Sequence, residues 1–188
     1  MLVLITGGSG SGKSAYAEDY LTKLSKKERK YYIATMQVYD EEGKKRVARH
    51  RAMRSGKGFV TIEQPVEIEK TLEKIKQIEY ESGLLQNQSG RAALIECMSN
   101  LTANEMFAGV SMTEGKVVEE KIVAGIQKLM NEIEYLVIVT NNVFEDGCFY
   151  DETTMEYMKA MGSMNEKLAA MADRVIEVVV GIPVTVKE

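Results

Sequence analysis

Eight consecutive residues near the amino terminus combine glycine, serine and lysine in an order that can hold phosphate groups. They read Gly7-Gly8-Ser9-Gly10-Ser11-Gly12-Lys13-Ser14 and match the pattern G-x-x-x-x-G-K-[ST]. Glycines let the backbone curve around phosphates, and the N–H groups at the start of a following helix attract the negative charge. Lys13 is then expected to reach the β- and γ-phosphates of a nucleotide, and Ser14 to offer a hydroxyl oxygen to Mg²⁺. This segment, called the phosphate loop below, predicts a site for a magnesium nucleotide.

An acidic residue further along the chain could complete the metal site. Glu96 ends the apolar run that begins at Ala92, which predicts a buried strand with a carboxylate at its carboxyl end. Proteins with such loops draw a second metal contact from an acid in this position. We therefore predict that Ser14 and Glu96 hold Mg²⁺, the alternative being that Glu96 is a surface acid that happens to follow a strand.

The only histidine of the chain, His50, lies in a highly charged segment. Acids come first and bases later between Asp40 and Arg54, the order that suits a helix dipole, and we predict a helix over Glu41 to Ser55. Helical spacing places Arg46, His50 and Arg54 on one face, which must either face water or share an anion such as phosphate. The arginines favour the neutral imidazole, the form that can attack phosphorus. Residue types alone leave open a solvated histidine with no chemical role.

The strands and helices that position these residues can be recognised from two different periodicities of apolar residues along the chain. Short apolar runs alternate with amphipathic stretches, the pattern of parallel strands joined by crossover helices. We therefore predict an α/β fold, a P-loop NTPase-like three-layer arrangement in one domain over 1–188. Gly181 and Pro183 indicate a tight turn, so the last strand is expected to be an antiparallel edge strand. The predicted strands are Leu2 to Thr6, Tyr31 to Ala34, Phe59 to Ile62, Ala92 to Glu96, Tyr135 to Thr140, Val175 to Val180 and Val184 to Val186; the predicted helices are Ser14 to Leu24, Glu41 to Ser55, Val66 to Tyr80, Glu114 to Glu134 and Thr154 to Ala172.

Composition excludes several classes of protein. The 188 residues are 45% hydrophobic and 28% charged with two prolines, which fits one globular core and not a disordered chain. A net charge of −4 argues against nucleic-acid binding, which needs a basic face. Apolar runs such as Tyr135 to Val139 are far shorter than the roughly 20 residues of a membrane helix. The first residues predict a strand and not a secretion signal, so we expect a cytoplasmic protein. Cys97 and Cys148 are expected to be buried, reduced thiols.

The phosphate loop and the histidine segment belong to a longer ordered set of motifs. On these, the chain resembles the bifunctional adenosylcobinamide kinase / adenosylcobinamide-phosphate guanylyltransferase family of cobalamin assembly, over nearly its whole length. The motifs are Ile5 to Gly8 leading into the phosphate loop, Tyr32-Ile33-Ala34-Thr35, Asp40 through Arg46 to His50-Arg51 and Arg54, Thr61 with Glu63 and Pro65, Glu96-Cys97, Asn104, Val139-Thr140-Asn141, Gly162 with Asn165, and Ala172-Asp173.

The resemblance implies two reactions on one scaffold. The first phosphorylates the terminal hydroxyl of adenosylcobinamide from ATP or GTP; the second transfers GMP from GTP to adenosylcobinamide phosphate and yields adenosylcobinamide-GDP. In that family the histidine matched by His50 attacks the α-phosphorus of GTP and carries GMP as a phosphoramidate. The resemblance also implies a homotrimer, Mg²⁺ as the metal, and Lys13 with His50 as catalytic residues. Beyond the phosphate loop, the expected nucleotide contacts are Thr35, Arg46, Arg49, Arg51, Arg54, Glu63 and Glu96.

The chain departs from the family pattern at a few positions. Gly10 stands where the phosphate loop of the family usually carries arginine, and Asn141-Asn142-Val143-Phe144 replaces an Asn-Glu-Val-Gly segment. Phe59 replaces a tryptophan. Two alternatives therefore stay open: a P-loop kinase for another small alcohol, in which His50 only contacts phosphate, and a nucleotide-binding protein that has lost catalysis.

Overall fold

The computed structural model describes residues 1–26, 28–37, 56–83, 90–143, 147–148 and 150–188. The strands in this part of the chain are β1 (Leu2–Thr6), β2 (Arg29–Ala34), β3 (Phe59–Glu63), β4 (Arg91–Glu96), β5 (Tyr135–Val139), β6 (Arg174–Val179) and β7 (Ile182–Lys187). The helices are α1 (Lys13–Leu24), α2 (Thr71–Glu81), α3 (Met98–Phe107), α4 (Gly115–Glu132) and α5 (Glu152–Met171), with a 3₁₀ turn at Ile68–Lys70.

The strands form one sheet in the order β3-β2-β4-β5-β1-β6-β7. All neighbouring pairs are parallel except β6 and β7, which are antiparallel. The central strands β1, β4 and β5 are almost entirely buried because their apolar side chains point to covered faces on both sides of the sheet. The predicted α/β class and the antiparallel edge strand are confirmed.

Helices cover both faces of the sheet and give it a core on each side. On one face, Ala17 and Leu21 of α1 pack with Val3 and Ile5 of β1. On the other face, α2 to α5 pack against Leu2 and Leu4 of the same strand. Because successive side chains of a strand point to opposite faces, β1 contributes to both cores.

The structure corrects several boundaries. Helix α3 was not predicted, because Ser99, Asn100, Thr102 and Asn104 are weak helix formers; it is held by burial of its apolar side chains, among them Leu101. Strand β7 begins at Ile182 and not at Val184, because Val180 and Gly181 alone form the turn and Val179 pairs directly with Ile182. The helix predicted over Val66 to Tyr80 is a 3₁₀ turn followed by α2.

Two further expectations have mixed outcomes. Cys148 is exposed, so the prediction that both thiols are buried is wrong for this one, while Cys97 is largely shielded.

The helix predicted over Glu41 to Ser55 lies outside the described residues. In the described part of the chain, none of the helices has the length and apolar character needed to span a membrane.

A charged network closes the amino end of the sheet. The buried Glu79 carboxylate accepts hydrogen bonds from Arg91 (Nη2 at 2.7 Å) and from the Tyr31 hydroxyl at 2.9 Å, and it pairs with Arg29 at 2.7 Å. Burial alone raises the pKa of Glu79, but these bonds and the two guanidinium charges outweigh it and lower the pKa. Burial, and after it the hydrogen bond to Glu79, raise the pKa of Tyr31 to about 12. Because both arginines begin strands, this network lies at the opposite end of the sheet from the phosphate loop.

Candidate functional site

The phosphate loop connects the carboxyl end of β1 to the first turn of α1. Gly10 and Gly12 have φ angles of 72° and 89°, in the left-handed region that residues with a Cβ rarely adopt. A Cβ built on Gly8 or Gly10 meets no described atom within 4 Å, so there is open space beside the loop at both positions. An open concave backbone directly before a helix N-terminus is the geometry that binds a phosphate.

The side chain of Lys13 lies across the loop. Its Nζ donates a hydrogen bond to the carbonyl oxygen of Gly8 at 3.0 Å, and the residue is 8% exposed. Burial lowers the pKa of Lys13, while the nearby Cys97 and Glu96 act in the opposite direction. A phosphate placed in the loop would offer the ammonium group a stronger, charged acceptor than this carbonyl.

The outer side of the loop is supported by the end of β6. Ser11 donates its N–H to Gly8 O at 3.2 Å, and Gly181 donates its N–H to Ser11 O at 2.8 Å. A Cβ on Gly7 would lie 2.6 Å from the carbonyl oxygen of Val178, so only glycine allows this approach. The turn between β6 and β7 therefore supports the curved backbone of the phosphate loop on its outer side.

Glu96 lies at the carboxyl end of β4, on the same edge of the sheet as the loop. The Tyr32 hydroxyl donates to its Oε2 at 2.9 Å and so fixes the direction of the carboxylate. Only β5 separates β4 from β1, so strand spacing places the ends of these two strands roughly 10 Å apart. A nucleotide in the phosphate loop would thus have a carboxylate on the β4 side.

The donor set suits a metal that arrives with its substrate. Ser14 and Glu96 supply hard oxygen atoms, and Mg²⁺ is commonly held by one or two protein oxygens together with water and phosphate oxygens. Within the described ranges, no group of three or more His, Cys, Asp or Glu residues is arranged so that it could hold a metal ion. These residues fit Mg²⁺ bound to a nucleotide and not a metal caged by protein ligands alone.

Thr35 joins three elements at this edge. Its N–H donates to Glu96 O at 3.0 Å, its hydroxyl donates to Cys97 O at 2.8 Å, and its carbonyl accepts from Asn104 Nδ2 at 2.8 Å. Asn104 also donates to Pro65 O at 2.9 Å, two residues after Glu63. The carboxyl ends of β2, β3 and β4 are thereby tied to α3, and Thr35, Glu63 and Glu96 lie on one edge of the sheet.

A polar cluster beside the loop was not predicted as part of the site. Asn141, just after β5, donates its side-chain N–H to Ser99 Oγ at 2.6 Å, and this oxygen lies 3.0 Å from Cys97 Sγ. Thr140 donates its hydroxyl to Asn165 Oδ1 at 2.7 Å. Part of the signal was in the sequence, because Asn141 follows the predicted strand Tyr135 to Thr140 and ligands bind at the carboxyl ends of parallel strands. Its partner Ser99 depends on the order of the strands, which only the structure shows.

Part of the predicted site falls outside the described residues. This holds for His50 and for the four arginines of its segment, Arg46, Arg49, Arg51 and Arg54. Among the described residues, the phosphate loop, Thr35, Glu63 and Glu96 all lie at the carboxyl edge of the sheet, with Glu63 on β3, four strands from β1. Phe144 is also outside the described ranges, whereas Asn142 donates its N–H to Gly7 O at 3.2 Å and so lies against the loop.

Solved structures share this architecture at low sequence identity. A KaiC-like protein from Pyrococcus horikoshii OT3 superposes with a TM-score of 0.51 at 15% identity, covering 94% of this chain and 69% of that chain. A DnaB-like replicative helicase superposes with a TM-score of 0.56 at 8% identity, covering 94% of this chain and 46% of that chain. At such identities the likeness shows the fold alone, and that fold is the P-loop NTPase type.

Sequence relatives that match over their full length indicate the family within this fold. The chain is 28% identical to the bifunctional adenosylcobalamin biosynthesis protein CobU of Escherichia coli (strain K12), over all of both chains. It is 26% identical to the bifunctional adenosylcobalamin biosynthesis protein CobP of Pseudomonas aeruginosa, over 98% of this chain and 96% of the relative. The family model described as cobinamide kinase / cobinamide phosphate guanyltransferase matches residues 3–186. This match includes the phosphate loop and Glu96. The chain therefore belongs to the cobinamide kinase / cobinamide phosphate guanyltransferase family.

Proposed function

We propose that this protein phosphorylates adenosylcobinamide and then transfers GMP from GTP to adenosylcobinamide phosphate, through a guanylylated His50. The observation that carries the proposal is the complete phosphate loop, with Lys13 across it and Glu96 at the end of β4 on the same edge of the sheet, in a chain that matches the family over residues 3–186. The proposed substrates are ATP, GTP, adenosylcobinamide and its phosphate. We further propose that the protein works as a homotrimer in the cytoplasm.

In the kinase reaction, the phosphate loop orients the nucleoside triphosphate. Backbone N–H groups from Gly8 to Ser14 bind its β- and γ-phosphates, and Lys13 exchanges the Gly8 carbonyl for phosphate oxygens. Ser14 and Glu96 would hold Mg²⁺, which when bound would neutralise charge on the phosphates. The terminal hydroxyl of adenosylcobinamide attacks the γ-phosphorus and releases its proton to solvent. The bond from the γ-phosphorus to the bridging oxygen of the β-phosphate breaks, and the nucleoside diphosphate leaves with the electron pair of that bond.

In the guanylyl transfer, His50 divides one displacement into two. A neutral imidazole nitrogen bonds to the α-phosphorus of GTP, and pyrophosphate leaves with the electron pair of the broken P–O bond. A phosphate oxygen of adenosylcobinamide phosphate then attacks the same phosphorus, and the imidazole leaves in its neutral form. The arginines at positions 46, 49, 51 and 54 supply positive charge for the transferring group.

One observation favours a second candidate, a nucleotide-binding protein without catalysis. Asn142 lies against the phosphate loop through its N–H to Gly7 O at 3.2 Å, and it replaces an acid that the resembled family carries there. A protein that keeps the loop but lacks this carboxylate would bind nucleotides and transfer nothing. A P-loop kinase for another alcohol is the third candidate, with His50 as a phosphate contact only.

Capture of labelled GTP tests the proposal and separates the three candidates. The protein is incubated with Mg²⁺ and α-labelled GTP, denatured and counted, beside the variants His50→Ala and Lys13→Met. The proposal expects label on the wild type that is lost in acid, as a P–N bond requires, and no label on either variant. Label that persists on His50→Ala overturns the covalent step. Turnover of γ-labelled ATP without capture selects the plain kinase, and tight GTP binding without either reaction selects the binding protein.

A further inference from the structure

Asn141 is held in a fixed position beside the phosphate loop by its two neighbours in the chain. Thr140 donates its backbone N–H to Ile5 O at 2.9 Å, and Asn142 donates its backbone N–H to Gly7 O at 3.2 Å. The first hydrogen bond reaches β1 and the second reaches the loop itself. The half-buried side chain of Asn141 therefore projects from a backbone that is bonded to the phosphate site on both sides.

The side chain of Asn141 forms a cluster with Cys97 and Ser99, and these three residues are called the Asn141 cluster below. Asn141 Nδ2 donates to Ser99 Oγ at 2.6 Å, and this oxygen lies 3.0 Å from Cys97 Sγ. The Tyr157 hydroxyl supports the cluster from α5 by donating to Ser99 O at 3.2 Å. Among the described residues, none donates a hydrogen bond to Asn141 Oδ1, so this oxygen is available to a ligand.

Lys13 connects the Asn141 cluster to the phosphate site. Burial lowers the pKa of Lys13, while Cys97 and then Glu96 act in the opposite direction, which requires both side chains to lie near the ammonium group. The lysine of such a loop reaches the β- and γ-phosphates of a nucleotide. A γ-phosphate bound by Lys13 would therefore lie beside Cys97, at the edge of the cluster.

The cluster suits an uncharged hydroxyl group and not a second anion. Burial raises the pKa of the Cys97 thiol, and burial also raises the pKa of Tyr157 to about 12, so both groups are neutral at pH 7. The side chains of Ser99 and Asn141 carry no charge. An amide oxygen accepts a hydrogen bond from an alcohol, whereas it repels a phosphate oxygen that has no proton to donate.

We propose that the Asn141 cluster binds the hydroxyl group of the alcohol that receives the γ-phosphate, with Asn141 Oδ1 as its hydrogen-bond acceptor. This inference rests on the proposed function, in which the alcohol is adenosylcobinamide. The hydrogen bond directs the hydroxyl oxygen toward the γ-phosphorus. The neutral amide does not take up the proton, which passes to solvent as the new P–O bond forms and the bond to the leaving nucleoside diphosphate breaks.

Affinity for adenosylcobinamide in the absence of nucleotide tests the site. Equilibrium dialysis compares the wild type with Asn141→Leu, Asn141→Asp and Asn131→Ala. Asn141→Leu keeps a similar volume but removes the oxygen, and we expect the affinity to fall roughly three- to tenfold, the loss of one hydrogen bond. Asn141→Asp keeps an oxygen that accepts from the alcohol and should bind nearly as well as the wild type. Asn131→Ala, at an exposed position of α4, is the control and should change nothing.

A second measurement separates contact with the alcohol from support of the loop. Calorimetry gives the affinity of each variant for a non-hydrolysable ATP analogue with Mg²⁺, and Asn141→Leu should bind it as the wild type does. This result also shows that the variant is folded. Asn141→Ala serves as a second variant if the leucine is not tolerated, and it should show the same selective loss of affinity for adenosylcobinamide.

The other outcomes overturn the site, each for a different reason. Unchanged affinity for adenosylcobinamide in both Asn141→Leu and Asn141→Ala means that the hydroxyl binds elsewhere. Equal weakening of adenosylcobinamide and the ATP analogue means that Asn141 acts only through the shape of the loop. An equal loss in Asn141→Asp and Asn141→Leu means that the free oxygen contributes nothing. If the wild type binds the ATP analogue but not adenosylcobinamide, the proposed function itself fails, and the site fails with it.

Discussion

The side-chain amide of Asn104 donates to the carbonyl oxygen of Thr35 at 2.8 Å, joining helix α3 to the end of β2. The same nitrogen donates to Pro65 O, so one amide group holds the ends of two strands in place. Because Thr35 is also bonded to Glu96 and Cys97, the position of the proposed metal ligand depends on this contact.

Removing this amide should destabilise the protein. Asn104→Ala leaves two partly buried carbonyls without their donor, and we expect a loss of about 1–3 kcal/mol in the free energy of unfolding. Urea denaturation measures the loss. Asn131→Ala, at an exposed position of α4, is the control and should stay within about 0.5 kcal/mol of the wild type. Equal stability of the two variants would show that the contact contributes nothing.

Lys13 should contribute strongly to nucleotide binding. Lys13→Met removes the ammonium group but keeps most of the apolar stem, and we expect affinity for a magnesium nucleotide to fall about 10- to 150-fold, the loss of one or two hydrogen bonds to a charged group. Equilibrium dialysis measures this affinity. Lys23→Met, in the exposed last turn of the same helix, should bind as the wild type does; a similar fall there would point to net charge as the cause.

The carboxylate of Glu96 should govern the response to Mg²⁺. Glu96→Gln keeps an oxygen that can accept from the Tyr32 hydroxyl but removes the negative charge, so we expect a higher Mg²⁺ concentration for half-maximal turnover. Tyr32→Phe removes only the donor that orients the carboxylate, and a smaller change is expected. Titration of both variants with Mg²⁺ decides the matter, and an unchanged midpoint in Glu96→Gln would remove this residue from the metal site.

The Glu79 network should stabilise the protein in a pH-dependent manner. The pKa of Glu79 is lower in the folded protein than its ordinary value of 4.5, so its contribution is fully present above that value and is lost as the pH falls through the folded pKa. Glu79→Gln should lower the free energy of unfolding at pH 7 by about 3 kcal/mol and flatten its decline in acid. Denaturation at pH 7 and below pH 4 measures both effects. Glu81→Gln, at the exposed end of the same helix, should leave the pH profile unchanged.

The two thiols should react at very different rates. Cys148 is exposed, whereas Cys97 is shielded and burial raises its pKa, which reduces the reactive thiolate. A thiol reagent should therefore modify one equivalent rapidly in the folded protein and the second only after unfolding. The rapid phase should disappear in Cys148→Ser, and its persistence would show that Cys97 is accessible.

The fold class and the principal residues of the site could be predicted from the sequence, for identifiable reasons. Periodicity located β1, β4 and β5 because strands buried on both faces are continuously apolar, and the spacing from Gly7 to Ser14 leaves few other interpretations. Helix α3 was missed because its stability comes from tertiary burial and not from propensity. The pairing of Asn141 with Ser99 could not be predicted, since it depends on the register between β4 and β5. The prediction for His50 stays a prediction.

The position of β1 in the sheet determines when the phosphate site can fold during synthesis of the chain. Leu2 and Leu4 pair with Leu136 and Val175, so the first strand has no partners while the ribosome is still making the middle of the chain. The phosphate loop that follows β1 is supported on its outer side by Val178 and Gly181, which are synthesised later still. Nascent chains are therefore expected to remain unable to capture nucleotide until the segment through Gly181 has been synthesised and has folded against β1.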